Sequence, residues 1–225
     1  MPNHRSQLST TAAGTADPPS STQRSSYIAR LKSGEGFVNL CGNYNYLEHG
    51  YYASQEIELS RRPISPTCKQ MLDAYITPLM LQKARREGIS VPDHYITNGY
   101  FEPPAIVDTI NPFMYRHSLV LKQGHVERVA RSLTRNFKYA ICCQEIPADA
   151  KVGFFRQILG STQVAKYRDL AQAIWTKLGI PLAEARIVTL TNGDILLSDL
   201  SPLPYSKLSK RELQQIEEQV EEWLT

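Results

Sequence analysis

The residues best placed to do chemistry lie between positions 38 and 52, which read Val-Asn-Leu-Cys-Gly-Asn-Tyr-Asn-Tyr-Leu-Glu-His-Gly-Tyr-Tyr. Asn39 and Cys41 fall at the end of a predicted strand, and Tyr44, Tyr46, Tyr51 and Tyr52 surround a loop bounded by Gly42 and Gly50. The loop enters a predicted helix. In open α/β sheets ligands collect outside the carboxyl ends of parallel strands, and a helix N-terminus there favours an anionic group. Asn39, Cys41, Tyr44, Tyr46, Gly50, Tyr51 and Tyr52 are therefore the candidate ligand- or partner-binding residues. The same tyrosines could instead close over the sheet, with their hydroxyls bonded to backbone. Cys41 and His49 share the loop and could form a nucleophile and base. Such a pair also needs an orienting group and an oxyanion hole, and no residue identifies either.

A basic run is the second feature. Arg116, Lys122, Arg128, Arg131, Arg135 and Lys138 are opposed locally only by Glu127. On a helix, Arg128, Arg131 and Arg135 share one face by i, i+3, i+7 spacing. That face could bind phosphate, RNA or an acidic protein, or simply be solvated. A net charge of only +3 and the lack of interleaved aromatics disfavour nucleic acid. Common catalytic signatures are missing: the phosphate-binding loop, the dinucleotide fingerprint, the nucleophile elbow and paired metal-ligand spacings. The sequence thus implies no cofactor and no metal, and no residue is assigned a catalytic role.

The elements that must position these residues follow from composition and periodicity. The chain has 225 residues, 42% of them hydrophobic and 21% charged, which excludes disorder throughout. No stretch approaches the ~18 apolar residues of a membrane span. Four cysteines without a C-x-x-C pair suggest a reducing, cytoplasmic setting. Residues 1–25 read as a disordered tail and 26–225 as a single domain. Residues 36–41 predict a short strand, 51–60 a helix with Tyr52, Gln55, Ile57 and Leu59 toward its apolar side, and 63–66 a second strand. This β-loop-α-β unit is what parallel strands require. A helix over 67–88 should kink or split at Pro78 and end at Gly88. Residues 94–96 and 118–121 could be short strands, 126–134 a basic helix, and 137–144 a central strand in which Cys142 and Cys143 pack as small apolar groups. Residues 163–178 predict a helix ended by Gly179. A hairpin over 186–200 turns at Asn192-Gly193, a type I′ signal. A last helix starts at Ser209 with a Ser209/Glu212 capping box and a Leu208/Leu213 staple. Its buried stripe is Leu213, Ile216, Val220 and Leu224. The fold class is α+β: a mixed sheet flanked by helices, with a C-terminal hairpin and helix.

Asn39, Leu40, Cys41, Tyr44, Tyr46, Gly50, Tyr51, Tyr52 and Ser54, followed by a helix and Arg62-Pro63-Ile64-Ser65-Pro66, resemble the opening of the RimK-like ATP-grasp N-terminal domain family. Ile180-Pro181-Leu182, the hairpin and Leu200-Ser201-Pro202-Leu203 before the capped helix are similar as well. Residues 95–150 carry no matching motif. Gly42 stands where relatives are expected to hold a basic residue. The resemblance implies an α+β domain usually fused ahead of a RimK-like ATP-grasp ligase, which joins an amine to a carboxylate through an acyl phosphate. The resemblance also implies a link to peptide modification, since the family's neighbours often include acetyltransferase and papain-like peptidase modules. This sequence ends at Thr225 without a following ATP-grasp domain. The expectation is therefore a non-catalytic accessory protein that binds a peptide substrate or a separately encoded ATP-grasp ligase. A small enzyme using Cys41, and a nucleic-acid or phosphate binder using Arg128, Arg131 and Arg135, are the alternatives.

Overall fold

The structure is a computed structural model that describes residues 27–34, 36–111 and 116–224. The expected tail at 1–25 lies outside the described residues. Eleven strands are seen among those described, arranged in three sheets, and helices cover their faces. The α+β class is borne out.

The first sheet joins the chain's two ends. Strands β1 (Ile28–Leu31), β2 (Phe37–Asn39), β3 (Ile64–Ser65) and β11 (Val220–Trp223) lie in the order β11-β1-β2-β3. β2 and β3 are parallel, with Phe37 opposite Ile64, and helix α1 (His49–Leu59) makes the crossover the sequence required. The buried face of α1 is Gly50, Ala53 and Ser54. Tyr52 and Leu59 point outward instead, a correction to the apolar side read from the sequence. Small residues let α1 lie close to the sheet, whereas a large ring could not fit there.

Thr67 caps helix α2 (Cys68–Tyr75) reciprocally with Gln70, and Pro78 sits in the first turn of helix α3 (Thr77–Arg86). The predicted break at this proline is therefore present, two residues earlier, at Ile76. Its reason is steric: proline is tolerated in a first turn and not in an interior. Both helices pack on the second sheet, in which β8 (Lys151–Ile158), β9 (Leu182–Thr189) and β10 (Ile195–Pro202) run antiparallel in the order β10-β9-β8. Met71, Met80, Leu81, Ala84, Ala185 and Leu197 belong to the core they share. Helix α5 (Arg168–Ala173) continues into a wider turn, Ile174–Leu178, and stops at Gly179 in left-handed backbone. Only Gly193 of the hairpin turn is left-handed, so the turn is not type I′, which needs two such residues. Thr191, Asn192 and Gly193 form a three-residue loop closed by a Leu190 N–H bond to the Asp194 carbonyl.

The third sheet has the order β4-β7-β5-β6, from β4 (His94–Thr97), β5 (Ala105–Thr109), β6 (His117–Val120) and β7 (Ile141–Glu145). β7 is central as expected, but it starts at Ile141 rather than 137. Thr134 explains the delay: its carbonyl accepts from the amides of Lys138 and Tyr139, and its hydroxyl accepts from Phe137 N–H at 2.7 Å. Arg135, Asn136 and Phe137 consequently sit at positive φ. Helix α4 (Val126–Leu133) packs on one face of this sheet through Val126, Ala130 and Leu133. Cys142 and Cys143 are buried on opposite sides of β7, as small apolar groups would be. The Ser209 capping box opens helix α6 (Lys210–Gln219), which ends earlier than its apolar stripe suggested. From Val220 the chain is extended and pairs antiparallel with β1, so Val220 is buried from a strand.

Candidate functional site

The loop between β2 and α1 is built around Asn39. Its side-chain amide donates to the Gly50 carbonyl at 2.7 Å and to Ser54 Oγ at 3.1 Å. Its side-chain oxygen accepts from Cys41 N–H at 2.9 Å. Its backbone carbonyl accepts from the Tyr44 hydroxyl at 2.6 Å. Ser54 in turn donates to the Pro66 carbonyl at 2.7 Å. Strand, loop, helix and the following strand are thus joined through one buried asparagine. Gly50 is required by close approach, since a Cβ there would collide with the Asn43 carbonyl and press on the Cys41 side chain.

The seven candidate residues therefore divide. Asn39 and Tyr44 are buried, and Tyr44 stacks on Tyr75 with ring centroids 6.3 Å apart. These residues, with Gly50, build the loop. Tyr46 and Tyr52 are 39% and 42% exposed and flank Tyr51, with edge-to-face centroid distances of 5.2 and 6.1 Å. Exposed Leu47, held at a φ of 67°, adds an apolar neighbour. Together they form an aromatic platform at the protein surface. Cys41 is half-buried, and burial pushes its thiol up. The thiolate needed for nucleophilic attack is disfavoured there. His49 packs its ring against Tyr27, at 6.4 Å between centroids.

The C-terminal segment completes the loop's seat. The amide of Tyr205 donates to the Cys41 carbonyl at 3.0 Å. Gly42 is left-handed at φ 74° and lies directly against the Leu203 carbonyl. The two sequence segments that carry the family resemblance thus meet in space.

Of the three arginines read as one helical face, Arg128 and Arg131 lie on α4 at i, i+3 spacing, and Arg135 does not. Arg131 pairs with Glu127 at 2.7 Å. Arg135 lies beyond the end of α4, with its guanidinium 5.6 Å from the Tyr139 ring centroid. Arg128 lines a different pocket, of about 320 Å³, together with Arg116, His117, Ser118 and Ser132. Helical spacing predicts all three on one face, but the helix ends at Leu133, so Arg135 leaves it.

Sequence reading missed the most buried polar cluster. Arg186 on β9 is 1% exposed and Asp108 on β5 is 2% exposed. They form a two-pronged ion pair with donor–acceptor distances of 2.8 and 2.7 Å. Gln144 donates to Asp108 at 2.8 Å and to the Ser198 carbonyl at 3.0 Å, while Ser198 Oγ donates to Gln144 at 2.8 Å. Arg186 Nε donates to Ser198 Oγ at 2.9 Å. Asp199 lies alongside, accepting from Thr77 Oγ1 at 3.2 Å, and its carboxyl is held well above the usual range by burial and by the Asp108 charge. The cluster ties the second sheet to the third. A signal existed: Asp108 stands alone in Ala-Ile-Val-Asp-Thr-Ile, and Arg186 interrupts an equally apolar strand. Lone charges in apolar runs are buried only when paired.

Among the described residues, no group of side chains is arranged to hold a metal ion, and no helix is long and apolar enough to cross a membrane. None of the curated proteins compared matches this sequence. Solved structures similar in fold include an ATP-grasp protein, a ligase and a synthetase. A RimK domain protein ATP-grasp from Sphaerobacter thermophilus is 16% identical with a TM-score of 0.50, covering 69% of this chain and 67% of that one. D-alanine-D-alanine ligase from Helicobacter pylori is 14% identical with a TM-score of 0.53, covering 74% and 64%. N5-carboxyaminoimidazole ribonucleotide synthetase from Thermotoga maritima is 10% identical with a TM-score of 0.50, covering 77% and 58%. This chain thus spans about two thirds or less of their lengths. The match to the RimK-like ATP-grasp N-terminal domain covers residues 25–219 and takes in both halves of the loop's seat, so the chain belongs to that family.

Proposed function

We propose that this protein is a non-catalytic accessory of a RimK-like ATP-grasp ligase, and that it binds a substrate peptide or the ligase itself through the platform of Tyr46, Tyr51 and Tyr52. The supporting observation is the division of the loop. Asn39, Tyr44 and Gly50 are consumed in internal bonds and close contacts, and the loop they build, with the first turn of α1, leaves Tyr46, Leu47 and Tyr52 exposed around half-buried Tyr51. Exposed, preorganised aromatics are the residue type that dominates protein-recognition surfaces.

Two further observations favour binding over catalysis. The Cys41 thiol is pushed up, away from reactivity. The polar groups between the second and third sheets are paired with one another in a closed network.

The test is capture from the native host with wild type beside a Tyr46→Ala/Tyr52→Ala variant, chosen because neither ring is buried. Recovery of an ATP-grasp ligase, or of its peptide substrate, by wild type alone supports the reading. Equal recovery by both forms, or recovery of neither, overturns it. A Cys41→Ala variant made in parallel addresses the enzymatic alternative: loss of an activity with the fold intact would establish it.

A further inference from the structure

Arg116 and Arg128 come from different elements, one at the start of β6 and one on α4. Both line the same pocket of about 320 Å³, together with His117, Ser118, Val129, Ser132 and Leu133. Among the described residues, no carboxylate lines it. Among the described residues, neither guanidinium is in an ion pair, whereas Arg131 on the same helix is neutralised by Glu127. Arg116 is fixed at its base: its amide donates to Thr109 Oγ1 at 3.1 Å, and its carbonyl accepts from Thr109 N–H at 2.9 Å. Arg128 is fixed by a helix whose other face is packed into the core through Val126, Ala130 and Leu133.

Two arginines from different elements lining one pocket, with no acidic residue beside them among its described lining, give it a positive charge that an anion would balance. Guanidinium presents a planar set of N–H donors that matches phosphate oxygens in pairs. Ser118 and Ser132 add hydroxyl donors, and Val129 and Leu133 give an apolar wall. A pocket of this volume is at the small end of ligand sites, too small for an extended polymer but sufficient for a phosphate on a short organic group. We infer that the pocket between β6 and α4 is a binding site for a small phosphate monoester, held by Arg116 and Arg128 with Ser118 and Ser132. The site is separate from the tyrosine platform and does not depend on the accessory reading.

The experiment is an amide-resolved NMR titration of the full chain with inorganic phosphate, glycerol 3-phosphate and, as a control for charge alone, sulfate. Saturable shifts at Ser118, Val129 and Ser132, stronger for glycerol 3-phosphate than for sulfate, are expected. Arg128→Gln and Arg116→Gln should each weaken binding about tenfold or more, the size of one lost charge-assisted bond. Arg131→Gln, whose charge already has a partner, should leave it unchanged. An unchanged amide spectrum for each variant without ligand shows that the fold is retained. Tighter binding of inorganic phosphate than of the ester would assign the site to the free ion and overturn the monoester reading. Absence of saturable shifts, or equal weakening by Arg131→Gln, would overturn the site altogether. So would steeply salt-dependent binding of a short single-stranded RNA with no response to either phosphate.

Discussion

Asp108 and Arg186 meet across the space between two sheets as a two-pronged ion pair, at 2.8 and 2.7 Å, with both side chains almost fully buried. Seventy-eight residues separate them in sequence. Removing one partner leaves a buried charge uncompensated, which costs about 3–5 kcal/mol. Arg186→Met or Asp108→Leu should therefore destabilise the chain by that amount in urea. The double replacement should recover much of the loss, since an apolar pair of similar volume needs no compensation. A single variant that loses less than about 1 kcal/mol would show that water reaches the pair.

Asp199 makes the opposite prediction about charge. Burial and the Asp108 carboxylate raise its folded-state pKa well above its ordinary value, while Thr77 and the Leu200 backbone only partly offset this. The folded protein then holds a proton that the unfolded chain has lost, so stability falls as pH rises above the ordinary carboxyl pKa of about 4. The decline levels off once pH passes the folded value. Asp199→Asn removes the titration and keeps an oxygen to accept from Thr77. Its urea midpoint should match wild type near pH 4 and exceed it at pH 7. Identical midpoints at both pH values would refute the burial cost.

How much of this was legible beforehand is clearest at two places. Asn39 to Ser54 was found as a motif because residues of unusual type are densely spaced there, and the β-α-β crossover around it followed from local pattern. Which tyrosines face inward could not be read. Tyr44 and Tyr46 are two apart on an irregular loop, where no period assigns faces, and tertiary contact with Tyr75 and Asn39 decides. Strands β5 and β8 escaped for a different reason. Pro103, Pro104 and Pro112 surround β5, and Gly153 and exposed Phe154 interrupt the alternation of β8, so neither presents a clean two-residue period. The Asp108–Arg186 pair is a long-range contact, visible in sequence only as two lone charges.

Tyr44 and Tyr75 offer a matched test of hydrogen bonding. Their rings stack at 6.3 Å and both are buried, yet only Tyr44 donates, to the Asn39 carbonyl at 2.6 Å. The Tyr75 hydroxyl has no partner among the described residues. Deleting the same oxygen should have opposite effects. Tyr44→Phe should cost about 1–3 kcal/mol, because it orphans a buried carbonyl, while Tyr75→Phe should be neutral or stabilising by up to about 1 kcal/mol. Thermal or urea unfolding of the two variants checks the signs. Equal losses would mean that the Tyr75 hydroxyl is satisfied in solution.

Gly42 and Gly193 share left-handed backbone, at φ 74° and 91°, and differ in what surrounds them. No atom lies within 4 Å of a Cβ built on Gly193, so Gly193→Ala should cost only the strain of the conformation, about 1–2 kcal/mol. A Cβ on Gly42 would strike the Leu203 carbonyl, which is backbone and cannot turn aside. Gly42→Ala must therefore push the loop off residues 203–205 and break the Tyr205 amide bond to the Cys41 carbonyl. Its cost should exceed that of Gly193→Ala by well over 1 kcal/mol. It should also raise amide exchange at Tyr205, which Gly193→Ala leaves protected. Because Tyr46 lies in this loop, and Tyr51 and Tyr52 lie in the first turn of the helix that follows it, any ligand of the platform should bind Gly42→Ala more weakly while Gly193→Ala binds normally. Equal penalties in stability and exchange would show that the loop does not depend on its seat against Leu203.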